Sequence, residues 1–111
     1  MDDLFLKIIN KEIPANIIFE DEDILAFEDI NPQAPTHILI IPKKHIAKLS
    51  DADISDQKLL GHMLIKANEI AANLKLDNTF RLVINNGANA GQSVFHCLLY
   101  TSDAADDVAS V

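Results

Sequence analysis

The sequence predicts a small α+β domain built on a mainly antiparallel sheet with one long and one short helix. Helical spacing occurs in two places, and the apolar runs between them are short, β-rich and joined by tight turns. The 111 residues suit a single domain, and no internal repeat or low-complexity tract interrupts them.

The elements follow in chain order. Asp2 and Asp3 are suitable N-caps for a short helix carrying Leu4, Phe5, Ile8 and Ile9 at helical spacing, and Pro14 is expected to end that segment. The runs Ile17-Ile18-Phe19 and Ile24-Leu25-Ala26-Phe27, parted by the acidic turn Glu20-Asp21-Glu22-Asp23, predict two antiparallel strands. Residues 29–36 contain two prolines that cannot continue a ladder and predict a loop. His37-Ile38-Leu39-Ile40-Ile41-Pro42 reads as a central strand covered on both faces, followed by a basic, exposed turn at Lys43-Lys44-His45.

The clearest helix spans residues 55–76. At about 100° per residue, Leu59, Leu60, Met63, Leu64, Ala67, Ile70, Ala71 and Leu74 share the arc expected to cover the sheet. Gly61, Ile65 and Ala72 form a smaller patch on the other side, either a packing surface for a partner or scattered apolar residues, while His62 is expected to be solvated. Residues 79–85 predict another strand, 86–92 a loop, and Ser93-Val94-Phe95-His96 the start of a last strand.

Composition excludes several functions. Apolar residues make up 49% and charged residues 23%, ordinary for a chain with a real core. No apolar run approaches the roughly 18 residues of a membrane span, and the Met-Asp-Asp start lacks a basic n-region, so no membrane association and a cytoplasmic location are expected. A net charge of -8 argues against nucleic-acid binding, although backbone amides can still hold one small nucleotide. The single cysteine, Cys97, cannot form an internal disulfide, no Cys/His spacing marks a zinc site, and no metal is predicted.

One loop carries a chemical suggestion. Asn85-Asn86-Gly87 and Gly91-Gln92-Ser93 bracket a stretch in which glycines can take positive φ and let amides converge on an anion beside Ser93. It has neither the Gly-Lys-Ser/Thr of a P-loop nor a Gly-x-Gly-x-x-Gly fingerprint, and on spacing alone an ordinary hairpin loop fits equally.

Separated motifs nevertheless match in order. Lys11-Glu12-Ile13-Pro14-Ala15, residues 27–37, Ile41-Pro42-Lys43-Lys44-His45, Asn85-Asn86-Gly87 and Gly91-Gln92-Ser93-Val94-Phe95-His96 closely resemble the Hint branch of the histidine-triad (HIT) family, almost without a break over residues 1–96. The resemblance implies a small HIT-like fold that pairs into a homodimer and binds a purine nucleotide or nucleoside phosphoramidate without a cofactor. It implies an apolar base slot at Phe5, Ile8, Ile13, Phe27 and Ile30, although those residues serve a core equally well. It further implies a ribose contact at Asp29 and phosphate contacts at Asn85, Gly91, Ser93 and Val94. His37 and His45 match positions near the site, with a structural or surface role as the plainer reading.

In such proteins the middle histidine of His-x-His-x-His attacks the α-phosphorus, giving a nucleotidyl-histidine that water resolves. Here the run is His96-Cys97-Leu98-Leu99-Tyr100. His96 supplies the first histidine, but Leu98 stands at the nucleophile's position and Tyr100 at the third. Loss of a covalent nucleophile costs on the order of 10³ to 10⁶ in rate, so this chain is expected to be inactive or nearly so.

The tail explains the departure. Residues 97–107 match the translation of a transposon-type sequencing adapter, so residues 1–96 are read as an incomplete HIT-like domain and 97–111 as a non-family tail. The competing reading is a catalytically dead nucleotide-binding or scaffolding module. Truncation at this point is expected to leave an unpaired sheet edge and an incomplete core.

Overall fold

A computed structural model describes residues 4–29, 36–76, 79–90 and 92, and the backbone of 99–103. Helix α1 is Leu4–Ile9, followed by strands β1 (Ile17–Glu20), β2 (Ile24–Glu28) and β3 (His37–Pro42). Helix α2 (Gln57–Asn73) then leads to β4 (Phe80–Val83) and β5 (Leu99–Asp103). The five strands lie in the order β1-β2-β3-β5-β4, and every neighbouring pair is antiparallel. The α+β architecture is the one the sequence predicts.

Both faces of the sheet are covered, because β2 and β3 are apolar at consecutive positions rather than alternate ones. Ile24, Ala26, Ile38 and Ile40 meet Met63, Ala67 and Ile70 of α2 on one face. Leu25, Phe27, Leu39 and Ile41 meet Phe5 and Ile8 of α1 on the other. All six residues of β3 are buried, as its apolar run implies. Full burial stabilises by about 1.5–3 kcal/mol for each large aliphatic side chain.

Several expectations are corrected. The long helix begins at Gln57 rather than Ser55, because Asp53 and Asp56 form a reciprocal capping box over a preceding 3-10 turn, Ile54–Asp56. Met63, Ala67, Ile70 and Ala71 are buried, but Leu64 and Leu74 are 47% and 36% exposed. The apolar arc is wider than the strip of sheet beneath it. Leu4 is likewise exposed on α1. That helix stops before Pro14: Lys11 takes φ 64°, and the Lys11 and Glu12 amides donate to the Ile8 and Lys7 carbonyls. This is a Schellman ending with lysine where glycine is usual. Lys75, at φ 60°, closes α2 in the same way.

His62 is not simply solvated. Its Nε2 lies 2.7 Å from Asp21 Oδ2, tying α2 to the β1–β2 turn, while Asp21 Oδ1 accepts from the Asp23 and Ile24 amides. Burial pushes the Asp21 carboxyl up, but His62 and the two amides outweigh it and hold the group below its ordinary value. Asp21, Asp23 and His62 bring potential metal-binding atoms within 4.8 Å of one another, yet both Asp21 oxygens are already engaged by protein.

The expected open edge beside β3 is filled. Leu99 to Ser102 pair with Ile40 to His37, and Tyr100 to Asp103 pair with Val83 to Phe80, which inserts β5 between β3 and β4. The strand onset expected at residues 93–96 and the caps Asp2 and Asp3 lie outside the described residues. Among the described residues, no helix is long and apolar enough to cross a membrane.

Candidate functional site

The α1-covered face holds most of the apolar residues assigned to a base slot. The Phe5 and Phe27 rings meet edge to face, with centroids 5.8 Å apart and planes at 68°. Ile8 completes this floor, and Ile13 packs against it while only half-buried. Phe5, Ile8 and Phe27 are 5%, 1% and 1% exposed, so they are core residues here and Ile13 presents the open apolar surface.

At the end of β2, the Asp29 amide donates to the His37 carbonyl at 3.0 Å, closing the loop predicted between these strands. The Asp29 carboxylate lies 3.5 Å from His37 Nε2, too long for a good hydrogen bond but close enough for charge to be felt. His37 is 4% exposed, and burial pushes its imidazole below the ordinary value while Asp29 partly restores it. The ring is therefore neutral at pH 7. The sequence does not mark this pairing, since eight positions separate Asp29 from His37. His45 is exposed on the basic turn, in keeping with its surface reading.

The loop after β4 is held by side chains. Asn85 is half-buried, and Asn86 Oδ1 accepts from the Ser50 amide at 2.7 Å. Gly87 takes φ 92°, which a Cβ would strain. Its amide donates to Gln92 Oε1 at 2.7 Å, and Gln92 Nε2 donates to the Ala47 carbonyl at 2.5 Å. In the sequence Gln92 is marked only as a loop residue, whereas it is buried and bonded at both ends of its carboxamide.

The site comes together only in part. Phe5, Ile8, Ile13 and Phe27 share one cluster, and Asp29 adjoins His37. The Asp29 end of the sheet is level with Ser102 and Arg81, whereas Val83, which precedes Asn85, is two positions farther along, about 7 Å. Ile30, Gly91, Ser93, Val94, His96 and Leu98 lie outside the described residues. Tyr100 is described as backbone, opposite Leu39 on one side and Val83 on the other.

Comparison with known proteins supplies the context. The HIT domain pattern matches residues 10–97. A HIT-like protein of Synechocystis sp. is 58% identical over 99 residues, spanning 89% of this chain and 87% of that protein. A HIT family hydrolase from Legionella pneumophila superposes with a TM-score of 0.88 at 49% identity, covering 91% of each chain. A HIT family hydrolase from Clostridium thermocellum gives 0.91 at 40% identity, covering 96% of this chain and 93% of that one. The histidine triad nucleotide-binding protein of Candida albicans gives 0.82 at 34% identity, with 90% and 73% covered.

Proposed function

This chain belongs to the HIT domain family, and from that premise we propose that its intact parent hydrolyses a purine nucleoside phosphoramidate or a related nucleotide. The fold is that of HIT family hydrolases. In the proposed reaction an imidazole nitrogen bonds to the α-phosphorus as the bond to the leaving amine or phosphate breaks. Water then releases the nucleotide from the nucleotidyl-histidine.

The proposed roles follow the chain. Phe5, Ile8, Ile13, Phe27 and Ile30 are the proposed base slot, in which Ile13 offers the open apolar surface and the buried Phe5–Phe27 pair and Ile8 support it from beneath. Asp29 accepts from the ribose hydroxyls, and Asn85, Gly91, Ser93 and Val94 hold the phosphate. His96 is the first triad histidine. The nucleotide-binding name of the Candida albicans protein supports a nucleotide as ligand.

The observation that carries the reading is the run His96-Cys97-Leu98-Leu99-Tyr100. Leu98 has no lone pair for phosphorus, so the chain as written is inactive. Residues 97–111 are proposed to be foreign to the domain of residues 1–96. A homodimer in the cytoplasm is proposed for the parent: β4 is an outer strand, Leu82 and Ile84 on and beside it are 39% and 40% exposed, and Ile65 on α2 is 61% exposed.

The test is a chimera in which residues after Phe95 are replaced by a histidine-triad strand and its continuation. It is expected to cleave an adenosine phosphoramidate, with no turnover by the unmodified chain. Ordinary enzymatic turnover by the unmodified chain, or none by a folded chimera, refutes the assignment.

A further inference from the structure

The run Glu20-Asp21-Glu22-Asp23 at the β1–β2 turn is acidic throughout, but its charges are not compensated evenly. Glu20 is met by both Lys11 and Lys43, each at 2.7 Å. Among the described residues Asp21 has His62 as its ion-pair partner, and Asp23 has none. His62 reaches the turn from α2, with its Nε2 2.7 Å from Asp21 Oδ2. Asp21, Asp23 and His62 each offer one metal-ligating atom, all within 4.8 Å of one another, and they are the one such trio among the described residues. Two neighbouring acids are ordinary on a chain of net charge -8, but an imidazole delivered from a second element, 41 positions away, makes them a chelating set of one nitrogen and two oxygens.

We propose that Asp21, Asp23 and His62 bind a zinc-class divalent ion, which clamps α2 to the β1–β2 turn. The site stands apart from the nucleotide reading, since its two acids precede β2 and Asp29 follows it. Imidazole with carboxylates suits zinc, whereas an all-oxygen set would suit magnesium or calcium. Zinc holds nitrogen and oxygen ligands at about 2.0–2.2 Å, which in a tetrahedral array places neighbouring donors about 3.3 Å apart. The 2.7 Å His62–Asp21 contact therefore opens by about 0.6 Å, and the exposed Asp23 carboxylate, which makes no side-chain bond, turns inward to the third position. The ion replaces the proton on His62 Nε2, and the neutral ring then carries its proton on Nδ1. The contacts that already engage Asp21 assist this exchange. Oδ1 keeps the Asp23 and Ile24 amides, which fix the direction of the carboxylate, while Oδ2 gives up only the His62 proton. Asp21 and His62 are partly exposed, so the ion enters without unfolding and water takes the fourth position.

The experiment titrates zinc chloride into the full chain in chelator-free buffer, followed by calorimetry and by urea unfolding. Zinc at about one hundred times its Kd is expected to raise the urea midpoint by about 1–3 M, an effect that EDTA reverses. Asp23→Asn is expected to weaken zinc binding about 10–100-fold, and His62→Gln at least as much. The Asp23 carboxylate makes no bond to the described residues, so its substitution removes a ligand and leaves the fold in place even if His62→Gln does not. Zinc held elsewhere on the chain would not register Asp23. An unchanged zinc affinity in Asp23→Asn therefore overturns the proposal, as does the absence of zinc binding by the unsubstituted chain. Magnesium is expected to leave the midpoint where it is, and a magnesium shift as large as that of zinc overturns the assignment of metal class.

Discussion

Removing residues 99–111 asks whether β5 belongs to the cooperative fold. On one flank Leu99 to Ser102 pair with β3, and on the other Tyr100 to Asp103 pair with β4, four positions each. Antiparallel pairing at these positions represents about eight ladder bonds, and at about 1 kcal/mol net for each the deletion costs about 8 kcal/mol. β4 adjoins the sheet only through β5, so it loses its place together with the loop that follows it. Domain stabilities are roughly 5–15 kcal/mol, comparable to the loss. The shortened chain is therefore expected to show no cooperative urea transition by far-UV circular dichroism. With urea slopes of about 1–3 kcal/mol per molar, a cooperative transition within about 0.5 M of the full chain's midpoint would refute the reasoning.

Two further predictions concern the core and its buried imidazole. Ile40 is fully buried between the sheet and Met63, Ala67 and Ile70, so Ile40→Ala is expected to destabilise by about 2–5 kcal/mol in denaturant titrations; a loss below about 1 kcal/mol would mean that α2 does not pack there. His37 has a folded pKa below its ordinary 6.5, so its neutral form favours folding. That contribution is present above pH 6.5 and is lost as the pH falls from there toward the folded value, where the unfolded chain binds the proton first. Asp29 is the influence raising this pKa, and Asp29→Asn is expected to move the His37 midpoint lower in an NMR titration, whereas an unchanged or higher midpoint contradicts the pairing.

The strands were legible because their signals are local. The unbroken apolar run of β3 announced a strand covered on both faces, and the acidic turn before Ile24 marked the β1–β2 hairpin. The arc of α2 was legible in direction but not in width, since the sequence does not state how broad the sheet beneath it is, and Leu64 and Leu74 fall outside the contact. Lysine at a left-handed helix end carries no local mark, which is why the sequence points to Pro14 as the stop for α1. The longer ties have no local signal: Gln92 to Ala47, in the loop of the candidate site, spans 45 positions, and His62 to Asp21, which joins α2 to the β1–β2 turn, spans 41. No window of sequence contains both partners.

The last strand shows why fold and chemistry separate in this chain. A slot between β3 and β4 asks chiefly for a backbone that can satisfy two ladders, and every residue except proline brings the same amide and carbonyl to that task. Leu99-Tyr100-Thr101 is also rich in strand-forming types, so β5 meets the demand whatever the origin of those residues. The proposed reaction asks for something the backbone does not contain, a ring nitrogen at an alternate position of the strand. Leu98 stands at that position in the motif, and under the proposed reading the chain keeps the sheet while losing the nucleophile. Resemblance of fold therefore carries the family, whereas under the proposed reading the loss of activity lies in the side chains at residues 96, 98 and 100.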